Sequence, residues 1–146
     1  MEINELPARE SIIYFPINKF KVNKISRSCN SIKLYYSKFD LKKFTNFNVV
    51  LQNIKTREEY RCNFNITNEY ISINLDTLAD YFTDYEASIF ISLQKDKNVY
   101  YYIPVITSYE LSDIEKKTYN NSNYQWYIRT SPNRELRLSC YKLITA

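Results

Sequence analysis

At 146 residues the chain is long enough for one domain that buries roughly two thirds of its unfolded surface, and it carries a modest net charge of +4. It contains neither His nor Gly, which excludes His-based acid–base or nucleophile arrangements, phosphate-cradling glycine loops and dinucleotide fingerprints. The aromatic content of 16%, with 15 Tyr and 8 Phe, favours strands, because such rings fit a pleated surface.

Residues 1–10 are polar with Pro7 and read as a lead-in segment, leaving 11–146 as a single domain. Nothing in the first twenty residues has the apolar core of a signal peptide or a membrane span, so a cytoplasmic location is expected. Residues 11–17 end at Pro16 and suit an edge strand. Phe20, Val22 and Ile25 mark the next strand, and 32–36 alternates Ile32, Leu34 and Tyr36 against Lys33 and Tyr35. Residues 38–46 read as one helical turn. Phe47, Val49 and Leu51 lead into a turn at 53–56, and 59–66 reads as a single strand with Tyr60, Cys62, Phe64 and Ile66 inward. Residues 70–75 alternate again, and Asp76 stands where it would cap a helical turn over 77–82.

The strongest signal is 86–109. Ala87, Ile89, Ile91 and Leu93, then Val99, Tyr101, Ile103 and Val105, repeat every second residue around a polar turn, which predicts a β-hairpin with one face in the core. Phe90, Tyr100 and Tyr102 fall on its other face. The polar stretch 110–123 reads as a loop with one helical turn. A closing hairpin follows, with Trp126 and Ile128 alternating in 124–130, Leu136, Leu138 and Cys140 alternating in 135–143, and a turn at 131–133. Without Gly, the positive-φ places of these turns fall to Asn and Asp, as in Asp96-Lys97-Asn98, Asn120-Asn121 and Pro132-Asn133. Eight to ten short strands predict an all-β fold, an immunoglobulin-like antiparallel β-sandwich with short helical turns.

Catalysis finds little support. The acids Asp76, Asp80 and Asp84, or Glu58 and Glu59, have no spacing specific to an acid–base pair, and caps or solvated loop charges explain them. No metal-ligand pattern and no cofactor motif is present. The cysteines Cys29, Cys62 and Cys140 are far apart and odd in number, so a disulfide framework is not expected. Binding is better supported. Tyr100 and Tyr102 offer rings for stacking, while Arg129, Arg134 and Arg137, beside Trp126, offer guanidinium forks for phosphate or carboxylate oxygens. The basic residues are spread along the chain rather than gathered in a stripe, which argues against nucleic acid as a partner.

The run Tyr70-Ile71-Ser72-Ile73-Asn74-Leu75-Asp76-Thr77-Leu78-Ala79, the central hairpin and the run from Trp126 to Leu138 together resemble the accessory β-sandwich domains of glycosyltransferases and glycerophosphotransferases that build Gram-positive surface polymers. In that family the first run ends in an I-D-L-x-x-L turn and the last hairpin in Y-x-T-x-x-x-N-L-S. Here Asn74 replaces an Asp, and Arg134-Glu135 replaces Gly-Asn. The resemblance implies a non-catalytic module that holds an anionic glycan polymer near an enzyme, docks a glycosyltransferase or mediates oligomerisation. The compositional bias toward Asn, Lys, Ile and Tyr also fits a phage or mobile-element protein that inhibits a host protein by occupying its surface.

Overall fold

A computed structural model describes residues 12–14, 20–28, 30–36, 45–75, 85–96, 99–111, 117–120 and 124–142. They form twelve strands and no helix: β1 (Ile12–Tyr14), β2 (Phe20–Arg27), β3 (Ser31–Tyr36), β4 (Thr45–Asn53), β5 (Glu59–Arg61), β6 (Phe64–Ile66), β7 (Tyr70–Asn74), β8 (Tyr85–Asp96), β9 (Val99–Thr107), β10 (Lys117–Asn120), β11 (Tyr124–Thr130) and β12 (Leu136–Lys142). Of the helical turn read over 38–46, Thr45 and Asn46 belong to β4 instead, and 38–44 lies outside the described residues, as does the turn read over 77–82 with its cap Asp76. Among those described, no helix is long and apolar enough to cross a membrane.

The β8–β9 hairpin is the hub of one curled, mixed sheet, ordered β10-β11-β12-β8-β9-β2-β3-β7-β6 with β4 and β5 joined to β8. One edge of β8 pairs with β4 along most of its length. Its other edge is shared, with Tyr85 to Ser88 pairing to β12 and Phe90 to Asp96 pairing to β9. The far edge of β9 is divided in the same way: Tyr100 to Tyr102 take β1, and Val105 to Thr107 take β2. Both of these pairings are parallel, whereas an all-antiparallel arrangement was expected. The reason is that β1 and β2 run in the same direction along one edge of β9. Because strands diverge from each shared edge, the sheet folds around a common apolar interior instead of staying open.

That interior takes the inward residues the alternation predicts. Ala87, Ile89, Ile91, Leu93, Ile103 and Val105 are buried together with Phe20, Val22, Ile32, Leu34, Ile71 and Ile73 from the β2–β3–β7 side. At about 25 cal/mol per Å² of apolar surface, each such side chain contributes roughly 1.5–3 kcal/mol. Register is fixed because a one-residue slip would turn every one of them outward.

Three local expectations change. Residues 59–66 are not one strand: β5 pairs with β4 and β6 pairs with β7. The chain passes between them at Cys62 and Asn63, where the Cys62 N–H donates to Val49 O (2.9 Å) and Asn63 O accepts from the Asn74 N–H (3.0 Å). Its alternation survives this crossing, because both segments turn the same set of side chains toward the interior. Secondly, 110–123 is not all loop, since β10 pairs with β11. Thirdly, among the described residues the positive-φ places go to Asn46 (49°), Arg57 (68°) and Arg134 (65°), so in the last turn the place falls to Arg134 and not to Asn133, while Lys97, Asn98 and Asn121 lie outside the described residues. Asn53 still organises the β4–β5 turn, its side-chain oxygen accepting from the Lys55 and Thr56 amides (2.8 and 3.2 Å).

Candidate functional site

The ring platform predicted on the outer side of the central hairpin is not open. Tyr102 is only 2% exposed, and Tyr100 and Phe90 are half-buried. Val50, Gln52, Ser92 and Ile106 on that side are buried as well, so β9 is covered on both faces and Tyr102 has no free ring face for a ligand. Its hydroxyl instead donates to Glu59 Oε1 (2.8 Å), whose Oε2 accepts from Gln52 Nε2 (2.8 Å), and Arg57 donates to Gln52 Oε1 (3.1 Å). Glu59 is therefore a partly buried tie between β5 and β9, not the solvated loop charge expected of it. Glu58 is exposed and accepts from the Tyr60 hydroxyl (3.1 Å). Asp76, Asp80 and Asp84 lie outside the described residues.

Trp126 is also removed from the candidates. It is fully buried in the core, as the inward phase of β11 requires; its place in the sequence beside Arg129 put it on the wrong side of the strand. Among the described residues the exposed aromatics are Tyr127 and Tyr141 (41% and 44%), which stand edge to face with ring centroids 5.9 Å apart.

The three arginines do come together around the closing hairpin. Arg129 on β11 and Arg137 on β12 are direct cross-strand partners, and on the adjacent β8 Glu86 pairs with Ser139 of β12. Glu86 accepts a two-pronged hydrogen bond from Arg129, through Nε and one terminal nitrogen. One of its oxygens also lies 3.7 Å from Arg137 Nη1. This hydrogen bond and the charge of Glu86 raise the pKa of Arg129 above its ordinary value, against a smaller opposing effect of burial. A planar fork matched to a planar carboxylate also fixes the direction in which Arg129 projects.

Arg134 enters through the turn. The Arg134 N–H donates to Ser131 O (2.9 Å), the Ser131 N–H to Glu135 O (2.9 Å), and the Thr107 N–H, at the end of β9, to Arg134 O (2.9 Å). Pro132 and Asn133 thus occupy the corner of a turn, and Arg134 follows in the left-handed conformation that usually falls to Gly in such hairpins. Its guanidinium lies 3.8 Å from Glu110, and both side chains are exposed (40% and 83%).

Between these residues lies an open cleft of about 520 Å³, lined by Arg129 to Pro132, Arg134, Glu110 and Leu111. Arg129 and Arg134 line it together, whereas Arg137 reaches it only through Glu86. Arg129, Arg134 and Arg137, set against Glu86 and Glu110, leave this group of side chains with one positive charge in excess. Glu110 was not foreseen, since a single acid in a polar run gives no signal in sequence. Among the described residues no group of three His, Cys, Asp or Glu could hold a metal ion. No protein-family model matches the sequence, and none of the curated proteins matches it.

Proposed function

We propose that the protein is a non-catalytic binding module that grips an anionic group of a glycan polymer in the cleft of the closing hairpin. The observation that carries this reading is the convergence of Arg129 and Arg134, from the two ends of one turn, on a single open cleft. Arg129 is held in position by Glu86, so little side-chain entropy is lost when it meets an anion. Glu110 lines the cleft but is solvent-exposed. In this reading the curled sheet is an immunoglobulin-like sandwich of the accessory kind found with surface-polymer transferases. The positive φ of Arg134 supports the likeness, because the related hairpin has Gly at that place.

The test is calorimetric titration with a phosphate-bearing glycan. Replacing Arg129 and Arg134 together by Ala removes charge-assisted hydrogen bonds of about 1.5–3 kcal/mol each and should weaken binding at least a hundredfold. Glu86→Gln should strengthen it, because Arg129 no longer has an internal carboxylate. Unchanged affinity in both variants would overturn the assignment.

A second reading is favoured by one feature, the exposed Tyr127–Tyr141 pair beside Arg129. Tyr and Arg are the residues that anchor protein interfaces. A host protein that co-purifies with the chain and is lost in Tyr127→Ala, with no heat on glycan titration, would favour surface inhibition of a protein.

A further inference from the structure

Tertiary structure gathers charge that the sequence scatters. Strands β2, β3, β6 and β7 contain Lys21, Lys24, Arg27 and Lys33 and not one Asp or Glu. Ile32, Leu34, Ile71 and Ile73 face the interior, and past the register shift that follows Val22 so does Ile25, so Lys24, Lys33, Tyr35 and Tyr70 fall on the opposite side. Pairing sets Lys24 next to Tyr35, and Tyr35 next to Tyr70. The two rings are 5.3 Å apart, with Lys24 Nζ 5.0 Å from the centre of Tyr35 and Lys33 Nζ 4.7 Å from the centre of Tyr70. Lys21 and Lys24 are exposed, while Tyr35, Tyr70 and Lys33 are half-exposed.

From this face we infer a second binding site, for single-stranded nucleic acid. A chain of this kind presents two things in alternation, a phosphate and a flat base, and the face supplies a partner for each: ammonium groups for the phosphates, neighbouring rings for the bases. A glycan fits less well. Sugar hydroxyls call for carboxylate acceptors, and these strands carry none. The lysines resting on the rings do not block the site, because a cation over an exposed ring is held only weakly. Each can swing to a phosphate and uncover the ring beneath. Ser26 and Ser72 share the face and leave room near the rings. The site lies on other strands than the arginine cleft, and its success or failure leaves that reading as it stands.

The experiment is fluorescence anisotropy of the full chain with labelled oligo(dT) about 12 nucleotides long, within the usual span of ~4–16 for a sheet platform. Affinity should fall with salt, and Lys24→Gln and Lys33→Gln should each flatten the logarithmic salt slope by about 0.7. Tyr35→Leu and Tyr70→Leu should each weaken binding by about tenfold, while Lys55→Gln, an exposed lysine in the β4–β5 turn, should leave it unchanged. If a tyrosine variant fails to fold, exposed Lys24→Gln still decides the matter. The inference is overturned if no binding is found at low salt, or if these variants leave it unaltered. It is equally overturned if a phosphate-bearing glycan binds this face and the oligonucleotide does not displace it.

Discussion

Arg134→Gly is expected to stabilise the protein while weakening its hold on anions. The residue has φ 65°, a conformation that costs an L-residue about 1–2 kcal/mol and costs Gly nothing. Gly returns about 0.5–1 kcal/mol of this through the greater freedom it gives the unfolded chain. The lost contact with Glu110, at 3.8 Å between exposed groups, is worth little. The control is Arg134→Ala, which loses the same guanidinium and keeps the strained backbone. Subtracting one variant from the other removes the side-chain effects and leaves the backbone effect, so Gly should exceed Ala by about 1 kcal/mol, or about 2–4 °C in Tm. Urea unfolding followed by Trp126 fluorescence measures it, with equal slopes for the two variants. If the Gly variant melts at or below the Ala variant, the left-handed strain at Arg134 is not there. Both variants should bind an anionic glycan equally poorly if the cleft is the site.

Burial pushes the Cys62 thiol from 9.0 up to about 12. An acid whose folded-state pKa is raised stabilises the fold fully below its unfolded pKa and loses that contribution as pH climbs toward the folded value. Stability measured by denaturant titration should therefore decline between pH 9.0 and about 12, by up to 1.4 kcal/mol per pH unit from this group, and less so in Cys62→Ala. A steep decline that persists in Cys62→Ala would show that other groups set it. Trp126 is the chain's single Trp and is fully buried, so its emission should be blue-shifted, resist acrylamide quenching and ignore ligand added to the arginine cleft; ready quenching would contradict its place in the core. Ile91 is 1% exposed, and Ile91→Asp places an unpaired carboxylate there at a cost of several kcal/mol. That variant should be unfolded by circular dichroism at room temperature, and wild-type melting would refute the core assignment.

What the sequence by itself determined is which way side chains face along each strand. Ala87, Ile89, Ile91 and Leu93, or Trp126 and Ile128, declare their side because a pleated strand alternates regardless of its neighbours. The same alternation placed Arg129 and Arg137 outward, and Arg134 in the turn between their strands. It holds even across the break between β5 and β6, which for that reason could not be seen: residues 59–66 keep one phase while changing partners.

Only the tertiary structure decided which edges pair, which outer faces stay open and which charges become neighbours. A backbone N–H or C=O accepts any strand edge, so the parallel attachment of β1 and β2 to β9 has no signature in the residues. Tyr102 and Tyr127 are both tyrosines in the outward phase, yet one is buried against Glu59 and the other exposed, because cover comes from segments remote in sequence. The +4 of the chain looks dispersed along its length. It becomes a lysine and tyrosine face on strands that themselves carry no acid, and arginines tied to Glu86 and Glu110 on other strands, because pairing brings together residues that the chain keeps far apart.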